Sequence, residues 1–501
     1  MELSKVLTGV KTLQKSRSGS LEISGIAYDS RQVKQGWLFA AIKGEKLDGN
    51  QFVSQAVERG AGAVLSEQPP RRGVAATWIQ ISSVRQALAQ AAANFYGHPA
   101  RQLKLIGITG TNGKTTTTFL LESILRAAGF RVGLFGTVEY HTAAGTVPAA
   151  QTTPESLDLQ QYLAGWRDAG AEWMVMEVSS HGLAFDRVYG LPFSAAVFTN
   201  LARDHLDFHQ TMDNYFQAKQ QLFLGQGTAP PALCVLNADD PRGRQLAQTC
   251  RGKKVLYGLA EDAETVSALD PKISLAGTQF TLRTPGGRVA VRSQLVGKAN
   301  LHNLLAAGAT AYGLGLPLEA IAAGLETLQR VPGRFERVHA GQPFAVVVDF
   351  AHTDLAFTHL LTTARELTRG RVIIVFGSGG DRDRTKRPVM GEIAGRLSDT
   401  VILTTDNPRS EDPVGIINDI VVGVQKAGGR YEIVLDRKSA FERAFAIARE
   451  GDIVLLVGKG HQDTQVYADR VEPWSEIEAA QRALAHRGYV RAEAAPSNAV
   501  S

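Results

Sequence analysis

The sequence predicts an α/β protein of about three domains: an N-terminal α/β domain over 1–98, a central domain over 99–331 with a phosphate-loop, mononucleotide-binding parallel sheet, and a C-terminal Rossmann-like sheet over 332–501. Three observations carry this. The 501 residues exceed what one hydrophobic core serves. Short apolar runs recur along the chain, most ending in a polar and often Gly-containing turn, which is the pattern of buried parallel strands. One such run (Leu103, Leu105, Ile106, Ile108) leads into Thr109-Gly110-Thr111-Asn112-Gly113-Lys114-Thr115-Thr116 and then a helical pattern at Phe119, Leu120, Leu121, Ile124 and Leu125.

Composition narrows the class. Hydrophobic content of 44% and charged content of 21% are those of a globular protein, and a net charge of +5 is small for this length. It suits an anionic small substrate such as a nucleotide, and no basic run points to nucleic acid. Cys234 and Cys250 lie in no metal-ligand spacing and make no disulfide framework. The start, MELSKVLTGVKTLQ, lacks the apolar core of a signal peptide, and no apolar run approaches the ~18 residues that span a bilayer. A cytoplasmic, membrane-free monomer is expected.

In the first domain, strands are expected at Leu38 to Ile42 and Ala63 to Ser66, and helices at Phe52 to Arg59 and Gln86 to Tyr96. Ile26 to Arg31, with Tyr28 and Ser30, reads by itself as a surface turn. Gly97-His98-Pro99 leads into the central domain.

The central strand, Gly-rich loop, Lys-Thr and helix form a phosphate cradle. Glycines let backbone N–H groups close on phosphate oxygens, the helix N-terminus favours negative charge, Lys114 adds a cation and Thr115 can hold Mg²⁺. Gln151 to Pro154, with Thr152 and Thr153, is a polar loop. Trp173 to Val178 is a buried strand that carries Glu177 near its carboxyl end, where a carboxylate needs a metal or an ionic partner. Ala195 to Phe198 leads to a loop containing His205, either a metal ligand or a structural imidazole. Asp213 is placed to cap a helix with Tyr215, Phe216, Leu222 and Phe223 on its apolar stripe. Lys219 falls on that stripe. From the helix alone it either snorkels outward, the simpler reading, or is desolvated to a neutral amine able to capture CO₂ as a carbamate. Val235 to Asp240 is a strand entering a turn, 255–295 reads as a small β-rich subdomain, and Gly297 to Asn303 opens an alanine-rich helix.

Val331 to Arg334 marks the second boundary. Strands at Phe344 to Val348, Val372 to Phe376, Val401 to Leu403 and Ile453 to Val457 deliver DFAH, GSGGDRD, DNPR and GKGH to one sheet edge. Residues 491–501 read as a loose tail.

TGTNGKTT departs from the general phosphate-loop pattern, with Ile108 where the first glycine belongs, and is similar to the ATP loop of the Mur ligases and folylpolyglutamate synthases. With MEVSSHGL, FTNLARDHLDFH, YFQAKQQLF, NADD, PGRFE, DFAH, GSGGDRD, DNPR and GKGH, nearly the whole chain resembles the Mur ligase family, nearest the branch adding the third amino acid to UDP-N-acetylmuramoyl-L-Ala-D-Glu. The synthases are a poorer match, because their ATPase domain comes first and about a hundred residues precede the loop here. A silent binding module would show damage at Lys114, Glu177, His205 or Lys219, and all four are intact.

The resemblance implies an ATP- and Mg²⁺-dependent amide ligase of peptidoglycan precursor synthesis, working through an acyl phosphate. Tyr28 and Ser30 would meet the uridine diphosphate end, and Thr152, Thr153, Ser179 and Arg187 the muramoyl peptide. Lys219, carbamylated, would bind Mg²⁺ with Glu177 and His205, while Thr115 serves the Mg²⁺ on ATP; on this basis the snorkelling reading of Lys219 gives way. Asn303, Arg334, Asp349 and His352 would surround the nucleotide. Arg382, Asp406, Asn407, Pro408, Arg409, Gly458 and Gln462 would take the incoming amino acid. Arg409 looks like the diaminopimelate type, since guanidinium grips a distal carboxylate with two hydrogen bonds. Three positions depart from that type: Gln462 replaces a Glu that would pair with the substrate's ammonium, Asp354 a Pro, and Phe185 a Gln beside the muramoyl peptide. Gln462 is expected to accept a hydrogen bond there. The alternative these departures leave is a related ligase joining another amine to another carboxylate.

Overall fold

The computed structural model describes residues 1–17, 19–44, 47–71, 73–260 and 264–489. The tail expected at 491–501 lies outside the described residues. Three large sheets follow one another along the chain, as the α/β class requires. The first has five strands in the order Thr12–Lys15, Thr77–Ile81, Ala61–Ser66, Trp37–Ala40, Gly25–Ala27, parallel except for the first pair. Helix Val84–Phe95, capped by Ser83 accepting from the Gln86 N–H, buries its alanine-rich face on this sheet.

The central sheet has eleven strands. Its parallel middle places Lys104–Thr109 between Trp173–Glu177 and Phe193–Phe198, with Glu177 level with Ile108 and Phe198 with Thr109. This adjacency brings the phosphate loop, Glu177 and the loop after Phe198 to one edge. The β-rich stretch expected as a separate subdomain is instead continuous with this sheet. Thr265–Ser274 pairs in parallel with Lys253–Tyr257 and antiparallel with Gly277–Thr284, which pairs with Gly287–Ser293. Alternating burial along Gly277–Thr284 is also what a free-standing hairpin would show, so periodicity alone does not reveal the junction.

The helix after the phosphate loop, Lys114–Ala127, is buried on one side by the sheet and on the other by Lys298–Gly313 and Leu318–Thr327. Gly324 lies against the Ile124 backbone, close enough for the Ser123 hydroxyl to donate to the Gly324 carbonyl at 2.6 Å. The helix carrying Lys219, Met212–Leu224, is capped by Thr211 and not by Asp213. Asp213 already has helical neighbours in the first turn and pairs with Arg242, whereas Thr211 has the extended backbone a cap needs.

The C-terminal sheet runs Glu336–Val338, Ala345–Asp349, Ile453–Val457, Val372–Phe376, Thr400–Leu403, Tyr431–Ile433. Its four inner strands are those expected from sequence. The two edge strands are only three residues long, too short to carry a period. Arg437 and Glu476 form a fully buried ion pair behind this sheet, and Arg437 also donates to the carbonyls of Thr405 (3.4 Å) and Val457 (3.0 Å), where two of the site loops begin.

Two glycines predict opposite effects. Gly324→Ala forces a methyl into the Ile124 backbone and is expected to cost about 1–3 kcal/mol, read as a lower unfolding midpoint. Gly165→Ala, exposed within helix Ser156–Asp168 with nothing near its added carbon, is expected to raise stability by about 0.5–1 kcal/mol.

Candidate active site

The phosphate loop is held by the neighbouring strand's exit. Asn200 accepts from the Thr111 and Asn112 N–H groups (2.8 and 3.0 Å), and the Thr199 hydroxyl donates to the Asn112 carbonyl at 2.7 Å. Gly113, at φ 88°, precedes the helix, and any side chain there would strike the Asn303 carboxamide. The buried side-chain amide nitrogen of Asn112 has no hydrogen-bond partner among the described residues, which leaves a donor open beside the loop. Lys114 folds back onto the Gly110 and Thr111 carbonyls at 3.0 and 2.9 Å.

Lys219 does not snorkel. It is 1% exposed, donates to the same Gly110 carbonyl at 2.7 Å, and lies 4.4 Å from the Tyr215 ring centre. Burial, then the Lys114 charge, hold its ammonium well below the ordinary lysine range. The ammonium turns inward to the phosphate loop, over the Tyr215 ring of its own helix.

Glu177 is wholly buried and accepts from the Thr137 N–H (2.7 Å) and hydroxyl (2.9 Å). His205, at φ 53°, has its ring nitrogen 3.3 Å from Asp204 and its ring edge-on to His181 at 4.9 Å. Desolvation of the part of the ring that the protein covers, then the charges of His181, Lys114 and Lys219, push its pKa down to about 4, although 44% of the side chain is exposed. Glu177, Asp204 and Arg334 all act on the charge of Lys114, and both lysines on that of His205, so these groups share one electrostatic environment.

Arg334 reaches over from the C-terminal sheet, donating to the Thr115 hydroxyl at 3.3 Å and stacking on Phe350 at 4.8 Å. Asp349 accepts from the Phe335 and Ala351 N–H groups, both at 2.7 Å; burial raises its pKa. His352 is tied to the Phe350 carbonyl at 2.9 Å, and burial lowers its pKa. These groups and the phosphate loop converge between the central and C-terminal sheets.

A cleft of about 970 Å³ opens beside them, lined by all three parts of the chain. Arg187, His205, His352, Arg382, Asp406, Asn407, Arg409, Gly458 and Gln462 line it, with the departures Phe185 and Asp354. Arg409, at φ 52°, donates to the Gly380 carbonyl at 2.6 Å, and neither it nor Arg382 makes an ion pair with another described residue. The Gln462 carbonyl oxygen is already engaged, accepting from the Asn407 amide at 2.9 Å, while its amide nitrogen has no partner among the described residues. Pro408, Thr152, Thr153, Ser179 and the phosphate loop lie outside the cleft lining. Thr153 donates to the Glu177 carbonyl at 3.0 Å and Ser179 caps the short helix Ser180–Ala184. Tyr28 and Ser30 are turned to Asp158 and Gln55, each at 2.6 Å.

Several groups here escaped the sequence reading. Glu155 is gripped by Arg85 (3.2 Å) and Arg187 (2.9 Å), and the Phe185 ring lies between the same two guanidiniums at 4.5 and 5.7 Å. Lys459 is fully buried and donates to the Asn407 carbonyl oxygen at 2.8 Å. Glu155 and Lys459 sit inside or beside motifs and were findable there; Arg85, alone on its helix, gives no local signal.

The Thr115 hydroxyl and the Glu177 carboxylate are oxygen donors of the kind Mg²⁺ takes, Thr115 beside the phosphate loop and Glu177 on the neighbouring strand; His205 offers a nitrogen, a weaker match. Among the described residues no three His, Cys, Asp or Glu side chains are arranged to hold a metal. Lys219 could join the set only as the carbamate, which its buried, deprotonation-prone amine is suited to form.

Comparison with known proteins follows the same lines. Three family descriptions match in order: Mur ligase family, catalytic domain, at 22–96; Mur ligase middle domain, at 108–311; and Mur ligase, glutamate ligase domain, at 333–460. The chain belongs to the Mur ligase family, as its motifs led one to expect. A UDP-N-acetylmuramoyl-L-alanyl-D-glutamate--2,6-diaminopimelate ligase from Solibacter usitatus is 48% identical over 98% of this chain and 99% of its own. The protein of that name from Geobacter metallireducens is 43% identical over 97% and 100%. A solved structure with the same title is 30% identical, with TM-score 0.68, covering 98% of this chain and 100% of that one. No described helix is long and apolar enough to cross a membrane.

His209 gives a pH test. It is buried, its outer ring nitrogen lacks a partner among the described residues, and burial, with the charges of His181 and Lys219, pushes its pKa down to about 4 from an ordinary 6.5. Below 6.5 the unfolded chain takes a proton that the folded one refuses, so stability is lost as pH falls toward 4. His209→Phe is expected to shrink the loss of denaturant stability between pH 7 and pH 5.

Proposed function

We propose that the protein is an ATP-dependent ligase that joins meso-diaminopimelate to the D-Glu γ-carboxylate of UDP-N-acetylmuramoyl-L-Ala-D-Glu, in peptidoglycan precursor synthesis in the cytoplasm. The observation that carries this reading is the shared cleft, with Arg187 and His205 on one wall and two guanidiniums, Arg382 and Arg409, that have no ion pair among the described residues, on the other. The names of relatives that are 43% and 48% identical over nearly the full length point the same way.

ATP would sit between central and C-terminal domains, its phosphates on Gly110 to Thr116 and its remainder near Asn303, Arg334, Asp349 and His352. The γ-carboxylate oxygen bonds to the γ-phosphorus as the bond to the bridging oxygen breaks, releasing ADP and leaving an acyl phosphate. The amine then attacks the acyl carbon, phosphate leaves, and the amine sheds a proton. Lys114 exchanges its two loop carbonyls for phosphate oxygens. Asn112 supplies a donor already free of other partners, and Arg334 adds charge from the facing domain. Thr115 would hold the Mg²⁺ on ATP, and Glu177, His205 and carbamylated Lys219 another Mg²⁺, and both would neutralise phosphate charge. Thr152, Thr153, Ser179 and Arg187 would steady the peptide, and Tyr28 and Ser30 the uridine diphosphate end once released from Asp158 and Gln55.

ADP release is expected with the dipeptide acceptor and meso-diaminopimelate, with the amide product seen by mass. L-lysine, lacking the distal carboxylate, is expected to be poorer by about 100-fold or more, and Arg409→Ala to erase most of that preference. Release that needs a different carboxylate acceptor would overturn the assignment. Lys219→Ala is expected to lose activity by about 100-fold or more, with partial recovery in added short-chain carboxylate, which fills the vacated space with an acid group.

A further inference from the structure

Resting on the ligase reading above, we propose that Gln462 turns amide donors toward the incoming amino acid, so that this enzyme selects the carboxylate at the far end of its substrate and does not select the far ammonium. The polarity is fixed by a chain of hydrogen bonds and not by the side chain's own preference.

The chain starts at groups that can only donate. The Lys459 ammonium and the Val466 N–H both point at one oxygen of Asn407, at 2.8 and 2.9 Å. That atom must be the carbonyl oxygen, which leaves the Asn407 amide nitrogen on the side of Gln462. An amide nitrogen only donates, so the Gln462 atom facing it at 2.9 Å must be the carbonyl oxygen. Reversing Asn407 would set N–H against N–H at both of its partners. Reversing Gln462 alone would do so at their shared contact. Val466 does not titrate, so this order holds even though burial lowers the Lys459 pKa to about 8. The Gln462 backbone N–H is fixed as well, donating to the Lys459 carbonyl at 2.9 Å.

The Gln462 amide nitrogen is thus left with two N–H groups and no described partner, on the wall of the cleft. Nearby, Arg382 and Arg409 bring two more donors of positive charge. Asp406 is the acidic group of that same loop, but it lies against Gly458 and its charge is already opposed by Lys459 and Arg437. Gln462, Arg382 and Arg409 therefore reward a carboxylate, and none of the three brings a charge to pair with a second ammonium. Of the cleft's other carboxylates, Asp383 is already taken up by the Thr385 N–H and hydroxyl, at 2.9 and 2.6 Å, and Asp354 lies at the start of the helix after Asp349. An α-amino acid with a distal carboxylate is the substrate class that fits, whether or not it carries a distal amine.

The test compares meso-2,6-diaminopimelate with L-2-aminopimelate, which keeps the chain and far carboxylate and lacks the far ammonium. In the wild-type enzyme kcat/KM is expected to agree within about threefold for the two. In Gln462→Glu, whose carboxylate can pair with the ammonium, diaminopimelate is expected to be preferred by about tenfold or more, with KM for ATP unchanged. A wild-type preference of about tenfold or more for diaminopimelate overturns the proposal, even if the variant fails to fold. Calorimetric titration of both amino acids reads the same preference without turnover. Matched binding without ADP release counts against the assigned reaction and supports the role of Gln462; failure of both to bind overturns that role.

Discussion

Two lysine ammonium groups, Lys114 and Lys219, converge on the single carbonyl oxygen of Gly110, and the architecture of the central domain makes this possible. Like charges at such range in a buried setting repel strongly, and burial alone already disfavours each ammonium. The arrangement is sustained by Glu177 and Asp204 for Lys114, by Asp204 and the Tyr215 ring for Lys219, and by the dipole of a carbonyl that receives both. It is a site in want of negative charge. Polyphosphate relieves Lys114, and conversion of Lys219 to an anion relieves the other half.

That demand explains why the fold surrounds the loop as it does. Helix Lys114–Ala127 is wedged between sheet and two helices, with Gly324 allowing an approach at backbone distance. The exit of the neighbouring strand ties down Thr111 and Asn112. A cradle so constrained loses little order when it receives phosphate. The facing domain contributes Arg334 at its rim, so the positive field is completed only where the two sheets meet.

The amino-acid end is organised by buried polar groups of another kind. Arg437, neutralised by Glu476, joins the carbonyls at the root of the DNPR and GKGH loops, and Lys459 orders the carboxamide of Asn407. Such pairs contribute little net stability, since desolvation offsets attraction. Their effect is on orientation, because a buried donor without its acceptor is heavily penalised and each amide is left one allowed direction.

The sequence by itself determined the phosphate loop, the four inner strands of the C-terminal sheet, the α/β class and the family, because each rests on local order: apolar runs, glycine spacing and contiguous motifs. It also placed Lys219 on an apolar stripe. Only the tertiary structure decided which way the ammonium turns, since the carbonyl that receives it, Gly110, lies more than a hundred residues earlier in the chain. The same holds for Thr211 over Asp213 as the cap, for the strands from 265 to 293 as an extension of the main sheet, and for the partnership of Arg85 with Glu155 across seventy residues of chain. The direction of the Gln462 amide was also beyond reach, because it is inherited from Lys459 and Val466 through Asn407. Hydrogen-bond polarity passes through space from donor to acceptor, and the order of residues along the chain does not record it.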